Sequence, residues 1–185
     1  MSDTLRCWNG QQFLTGTCDE LLESRLVSLQ GPILKDNSLN LIAQLLYLDN
    51  QGPRLPIYLN VSSPGGCVGS SFAVVDAIRE LNAPVHTICL RLVAGTAVMI
   101  VSAGREGSRF AHMDSILSFL PSSDDESNPV GAQELGRINR LMADELEKTT
   151  NFSCSLFLKF QEEHCRFSPV EAIELGLIDH IIVDV

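Results

Sequence analysis

The stretch from Pro56 to Ala103 contains two strand-like segments, each followed by a glycine turn and a helix-like segment. The first strand ends at the sequence SPGG, residues 63–66, where proline fixes φ and the glycines accept positive φ. The second strand, Val85–Leu90, is followed by Gly95, which opens a helix of small and apolar residues. Because backbone N–H groups at two helix starts then lie near one point, the pattern predicts a site for an oxyanion.

Strand and helix patterns alternate along the rest of the chain. A strand at 25–29 precedes a helix with an apolar face from Leu39 to Leu48, and residues 36–38 offer N-cap candidates for it. Further strands are predicted at 109–112 and 115–120. This alternation predicts an α/β layered fold with a buried sheet.

The last third of the chain predicts a loop followed by helices. Residues 121–129 (PSSDDESNP) have the composition of a loop, and helices are predicted from Leu135 to Leu146 and from Ser153 to Glu163.

The final helix carries clear start and stop signals. Ser168 is the predicted N-cap, Pro169 takes the first helical position, and Glu171 completes a capping box. Gly176 is predicted to end the helix in the left-handed conformation.

Length and composition restrict the remaining possibilities. The 185 residues suit one domain, assigned to residues 21–185, behind a polar and mobile arm at residues 1–20. A formal net charge of −10 without a Lys/Arg cluster argues against a nucleic-acid surface. The most apolar segment, 92–101, is shorter than the ~20 residues that span a membrane, and no signal peptide is expected.

The six cysteines predict free thiols and a reducing compartment. They are widely spaced and form no C-x-x-C pair, so neither a zinc site nor a disulfide framework is favoured. His164 beside Cys165 resembles a thiolate–imidazole pair, but neighbouring residues on one strand point to opposite faces. The other histidines, at 86, 112 and 180, are interpreted as structural or surface residues.

Several of these segments together resemble the proteolytic subunit of the Clp protease. The resemblance is carried by SPGG at 63–66, residues 70–90 with their TIC at 87–89, RFA at 109–111, RFSPVEA at 166–172 and GLID at 176–179. It covers about residues 21–183. It implies a ClpP/crotonase-like layered fold of repeated strand-strand-helix units with a projecting helical handle.

The catalytic triad of that family is missing from the aligned positions. Gly95 takes the place of the serine, and Leu120 that of the histidine, or Phe119 if Pro121 is matched to the family's proline. Cys165 takes the place of the aspartate. The resemblance implies that Gly66 and Thr96 are the oxyanion-hole donors, so the hole would remain without a nucleophile.

The resemblance also implies partners. A subunit without a triad is similar to the catalytically inactive ClpR-type subunits, which assemble with active ClpP-type subunits in a heptameric ring or double ring. An AAA+ Clp ATPase would act through the assembled core, and the arm would line its axial entrance. No cofactor, metal, nucleic acid or membrane is expected, and the expected location is the bacterial cytoplasm or the plastid stroma.

A second hypothesis is an enzyme of the crotonase type. Crotonases share the fold and use two backbone N–H groups with variable acids and bases. This reading needs a carboxylate or histidine aimed at the hole, and the sequence shows no such constellation.

Overall fold

The computed structural model describes residues 5–119, 132–151 and 153–183, and for residues 132–135 the backbone alone. The predicted loop 121–129 and the predicted site residue Leu120 lie outside the described residues. Within the described part of the chain, no helix combines the length and the apolar character that a bilayer crossing requires.

Strands and helices alternate through most of the described chain, which confirms the α/β prediction. The strands are β1 (Leu5–Trp8), β2 (Phe13–Gly16), β3 (Leu26–Gln30), β4 (Ile57–Ser63), β5 (Val85–Ala94), β6 (Arg109–His112), β7 (Ile116–Ser118), β8 (Arg166–Phe167) and β9 (His180–Ile182). The helices are α1 (Cys18–Glu23), α2 (Lys35–Gln51), α3 (Val68–Glu80), α4 (Ala97–Ser102), α5 (Ala132–Glu147), α6 (Cys154–Glu162) and α7 (Pro169–Glu174).

Seven of the described strands form one sheet centred on β5. The order is β3-β4-β5-β6-β9, and β7 pairs with both β5 and β8. Residues 87–89 of β5 pair with β6, whereas residues 92–94 pair with β7. All of these pairings are parallel except that between β7 and β8. Parallel strands require cover on both faces, and Ile57, Leu59 and Val61 of β4 are accordingly inaccessible to solvent.

Helix α2 begins earlier than the sequence predicts. Its buried positions Leu41, Leu45 and Leu48 recur every three or four residues and face the sheet. The N-cap is Leu34 rather than a residue of 36–38, and the side chain of Asn37 accepts the Leu34 N–H at 2.8 Å. The prediction of the cap was wrong because Asn37 acts from the third helical position.

The helix predicted at 153–163 is present as α6, and the start and stop signals of α7 are confirmed. Ser153 caps α6, accepting from the backbone N–H of Leu156. In α7, Ser168 and Glu171 form the reciprocal capping box, with the Glu171 carboxylate 2.8 Å from the Ser168 nitrogen. Gly176 has φ +71°, as a left-handed helix stop requires.

A buried ion pair joins β6 to the turn before β9. The guanidinium of Arg109 donates from Nε to Asp179 Oδ2 at 2.9 Å and from Nη2 to Oδ1 at 2.6 Å. Burial opposes ionisation of Asp179, but the hydrogen bonds and charge of Arg109 outweigh it, so the pKa of Asp179 lies below its usual value. The pair links two of the sequence motifs that lie 70 residues apart.

Residues 5–23 form a hairpin and a short helix that the sequence did not predict. Asn60 of β4 accepts the Trp8 N–H at 2.9 Å and donates to the Trp8 carbonyl at 3.3 Å. The Trp8 ring packs on Phe110 with a centroid separation of 4.8 Å, and Cys7 is fully buried. Four-residue strands without alternation leave little trace in a sequence. The division into an arm at 1–20 and a domain at 21–185 stays a prediction.

Candidate functional site

The SPGG turn is held against the segment that follows β3. Gly65 has φ +91° and Gly66 has φ +157°. The nitrogen of Ile33 donates to the Gly65 carbonyl at 2.9 Å, and the nitrogen of Cys67 donates to the Ile33 carbonyl at 2.8 Å. A Cβ on Gly66 would overlap the Ile33 backbone, so this approach requires glycine.

A second glycine turn, after β5, faces the first. Gly95 has φ +54° and donates to the Ser118 carbonyl at 2.9 Å. A Cβ on Gly95 would lie 3.4 Å from the carbonyl oxygen of Pro64, so any side chain there would project toward the SPGG turn. The two turns are therefore adjacent, as the sequence predicts.

The Gly66 N–H is already hydrogen-bonded within the chain. It donates to the hydroxyl oxygen of Thr96 at 3.1 Å, and the same oxygen lies 2.9 Å from the hydroxyl of Ser71. Thr96 is buried, with 3% of its surface exposed. An N–H that donates to a protein hydroxyl is not free for a substrate oxygen, so this arrangement is a closed form of the predicted site.

Cys165, the residue at the aligned aspartate position, lies beside the end of β7. Its carbonyl accepts the Phe119 N–H at 3.2 Å and the Ser118 hydroxyl at 3.0 Å. Since the Ser118 carbonyl also accepts the Gly95 N–H, Ser118 links Gly95 to Cys165 through hydrogen bonds. Phe119 itself is a core residue, its ring centroid 5.1 Å from that of Phe157.

Two comparisons with known proteins agree with this arrangement. The family model for Clp protease matches residues 9–185. The chain is also 31% identical over 167 residues to a protein from Deinococcus radiodurans named ATP-dependent Clp protease proteolytic subunit. That match covers 88% of this chain and 82% of the relative. The chain belongs to the Clp protease family.

Two serines of this Clp family chain form hydrogen bonds to predicted site residues, and the sequence analysis did not single them out. Ser71 lies on the first turn of α3, just after the SPGG turn, and its fully buried hydroxyl reaches Thr96. Ser118 ends β7 and bonds Cys165. Of the two serines, only Ser71 could have been found from the sequence, because a polar residue on the buried face of a predicted helix requires a hydrogen-bond partner.

The Cys165 thiol is not an activated nucleophile in this Clp family chain. Desolvation and the negative charge of Glu163, whose carboxylate lies 3.7 Å from the sulfur, raise the pKa of the thiol. His164 has φ +50° and lies in the turn before β8 instead of on a strand, so the strand argument used against this pair was wrong. The raised pKa is the physical reason that opposes thiolate chemistry here.

Two histidines make structural contacts. His86 packs edge-on against Tyr58 with a centroid separation of 5.1 Å, and burial, with the charge of Arg105, lowers its pKa. His180 lies 3.2 Å from the Gly107 carbonyl through Nε2. These contacts fit the structural role that the sequence predicts.

The described residues offer no metal centre: in 5–119, 132–151 and 153–183, no three His, Cys, Asp or Glu side chains are grouped to hold an ion. The crotonase hypothesis requires an acid or base aimed at the Gly66 N–H. The group bonded to that N–H is the Thr96 hydroxyl, which is neither a carboxylate nor a histidine.

Proposed function

We propose that this chain is a non-catalytic subunit of a Clp-type proteolytic core, similar to the ClpR subunits. The observation that carries the proposal is the hydrogen bond from Gly66 to Thr96 beside a glycine at the nucleophile position. Gly95 has no side chain to attack a carbonyl, and its neighbour Thr96 takes the N–H that would stabilise the oxyanion.

The other two triad positions support the same conclusion. Cys165 takes the aspartate position with a thiol whose pKa is raised, so it carries no charge to orient a histidine. Leu120, at the histidine position, has an aliphatic side chain that cannot accept a proton. Phe119, the alternative in the other register, is equally unable to act as a base.

The proposed oxyanion-hole positions remain Gly66 and Thr96. In this subunit they serve the fold: the buried hydroxyl of Thr96 accepts from the N–H of Gly66 and pairs with the buried hydroxyl of Ser71. These hydrogen bonds offset the free-energy cost of burying polar groups that no substrate will contact.

We propose that the chain assembles in rings with active ClpP-type subunits and meets an AAA+ Clp ATPase through the assembled core. An exposed apolar face on α2 supports assembly, since Leu39, Leu46 and Tyr47 are each more than half exposed. Their spacing puts them on one side of the helix, opposite its buried face. Large apolar side chains grouped on a surface are typical of subunit interfaces. The proposed location is the bacterial cytoplasm or the plastid stroma.

A labelling experiment tests the lack of catalysis. The purified chain is incubated with a fluorophosphonate and, separately, with a fluorogenic dipeptide, beside an active Clp proteolytic subunit as the positive control. We expect neither labelling nor hydrolysis above background. Labelling of any serine or threonine at the site would overturn the proposal.

A second experiment tests assembly. The chain is mixed with its active homologue and examined by native mass spectrometry, together with the variants Leu46→Glu and Gln51→Glu. Both variants add one negative charge to an exposed position of α2. We expect mixed rings with the wild type and with Gln51→Glu, and none with Leu46→Glu. A chain that stays monomeric alone and in the mixture contradicts ring assembly.

A further inference from the structure

A cleft of about 900 Å³ opens beside the amino-terminal hairpin, where strands β3, β4 and β5 approach their carboxyl ends. It is lined by one or more residues from each of five neighbouring strands, β3, β4, β5, β7 and β8: Gln30, Ser62, Arg91, Ile116 and Arg166. Four interstrand spacings amount to about 19 Å, the length of about six extended residues. The cleft thus has the length of a short peptide strand.

The cleft is cationic in a protein that is acidic overall. Arg6, Arg91 and Arg166 line it, whereas the whole chain has 13 basic residues against 23 acidic ones. Asp114 is the one carboxylate among the described lining residues, and it lies 3.8 Å from His112. Within the described part of the chain, neither Arg91 nor Arg166 has a carboxylate partner.

A distortion of β5 presents Arg91 to the cleft. The register between β4 and β5 shifts after the pair Val61–Cys89 and resumes at Ser63–Val93, so one residue of β4 lies opposite three of β5. Arg91 is in the middle of this bulge with φ +65°, a conformation that residues other than glycine avoid. Bulges re-aim side chains near functional sites, and a strained backbone that persists points to a role for the residue.

Apolar residues lie between the charges. Leu92 and Ile116 are each about two-fifths exposed in the cleft, and Phe13 lies at the hairpin side. The guanidinium of Arg6 covers one face of the Phe13 ring, 4.2 Å from the ring centroid, so that face is not open for stacking a nucleobase. A cleft lined by both apolar and cationic side chains favours a peptide that carries both apolar and acidic side chains.

We infer that this cleft binds an extended peptide segment in which carboxylate side chains alternate with apolar ones, held by Arg91 and Arg166. Binding of this kind is separate from the proposed loss of catalysis and does not depend on ring assembly. Nothing in the triad positions or in the Gly66–Thr96 hydrogen bond contributes to it.

Fluorescence anisotropy on the full purified chain tests the inference. The probe is a capped hexapeptide, Leu-Glu repeated three times, with an uncharged dye, and the matched probe replaces every Glu by Gln. Because each Arg–carboxylate contact is charge-assisted, we expect the Glu peptide to bind at least about tenfold more tightly. Binding of the two peptides with equal affinity would overturn the inference.

Variants locate the site. Arg91→Gly and Arg166→Gln should each weaken the Glu peptide by about fivefold or more, whereas Arg54→Gln, at an exposed arginine outside the cleft, should leave it unchanged. Glycine suits the positive φ at position 91, so that variant folds, and circular dichroism checks it. Unchanged binding in both cleft variants contradicts the assignment.

Tighter binding of a single-stranded hexanucleotide, or equal competition by inorganic phosphate, would also reject a peptide site.

Discussion

The hydroxyl oxygen of Thr96 lies 3.1 Å from the nitrogen of Gly66 and accepts its hydrogen bond. Thirty residues of sequence separate the two, and each follows a strand of the same sheet. In the Clp protease family this N–H is expected to face the substrate carbonyl. Here the hydroxyl of a buried threonine accepts the hydrogen bond from this N–H.

The first prediction concerns Thr96. Replacing it by valine keeps the shape but removes the hydroxyl that accepts from the Gly66 N–H and pairs with Ser71. We expect the free energy of unfolding to fall by about 0.5–1.5 kcal/mol. Urea denaturation followed by circular dichroism measures the change. Thr15→Val, at an exposed position of β2, is the matched control and should stay within about 0.5 kcal/mol of the wild type. Equal stability of both variants would show that the hydrogen bond adds nothing.

The second prediction concerns rescue of catalysis by Gly95→Ser, Leu120→His and Cys165→Asp made together. We expect little or no peptidase activity, because a serine at φ +54° is strained by about 1–2 kcal/mol and Thr96 still occupies the Gly66 N–H. The aligned histidine position is Leu120 in one register and Phe119 in the other, and a shift of one residue turns the side chain to the other face. A fluorogenic peptide assay measures the outcome.

Adding Thr96→Val to the triple variant separates these causes. If the Thr96 hydroxyl closes the hole, the quadruple variant should be more active than the triple variant. Activity of the triple variant near that of an intact family member would instead show that only the triad positions had been lost.

The third prediction is a pH dependence at Asp179. Its pKa is lower in the folded protein than its usual value of 3.8, so the ion pair with Arg109 stabilises the fold above that value. This stability is lost as the pH falls through the folded pKa, when Asp179 becomes protonated. At neutral pH, Asp179→Asn should cost about 1–3 kcal/mol, because Arg109 loses its charged partner but keeps its hydrogen bond to the Thr149 carbonyl, and Asp179 is only partly buried.

Denaturant titrations of Asp179→Asn at neutral pH and at a pH below the folded pKa test this sign. The difference from wild type should shrink in acid, while Asp76→Asn, at an exposed position of α3, should show a small and nearly constant difference. A cost for Asp179→Asn that grows in acid would contradict the assigned direction of the pKa shift.

The fourth prediction concerns Arg91. Glycine at φ +65° removes the left-handed strain, so Arg91→Gly should raise the free energy of unfolding by about 1 kcal/mol. Arg54→Gly, at a residue with ordinary negative φ, is the matched control and should lower stability. Thermal unfolding of both variants compares them. A destabilised Arg91→Gly would mean that the arginine side chain makes contacts that outweigh the backbone strain.

Much of the candidate site could be predicted from local sequence. The SPGG turn and Gly95 were placed together correctly, because each follows a strand whose pattern is plain and parallel strands end at the same edge. The pairing of Thr96 with Gly66 could not be predicted. It depends on a side-chain rotamer and on Ser71 of a different helix, and neither is encoded in a local pattern.

The sequence by itself determined the alternation of strands and helices, the capping box at Ser168 and Glu171 and the helix stop at Gly176. These features are set by φ/ψ preferences and hydrogen bonds within a few residues of chain. Only the tertiary structure decided three contacts. Trp8 hydrogen-bonds Asn60, and Arg91 lines the same cleft as Arg166. Thr96 accepts the hydrogen bond of the Gly66 N–H. Each of these contacts joins segments that are distant in sequence, so it stabilises the protein only after the sheet has brought the segments together.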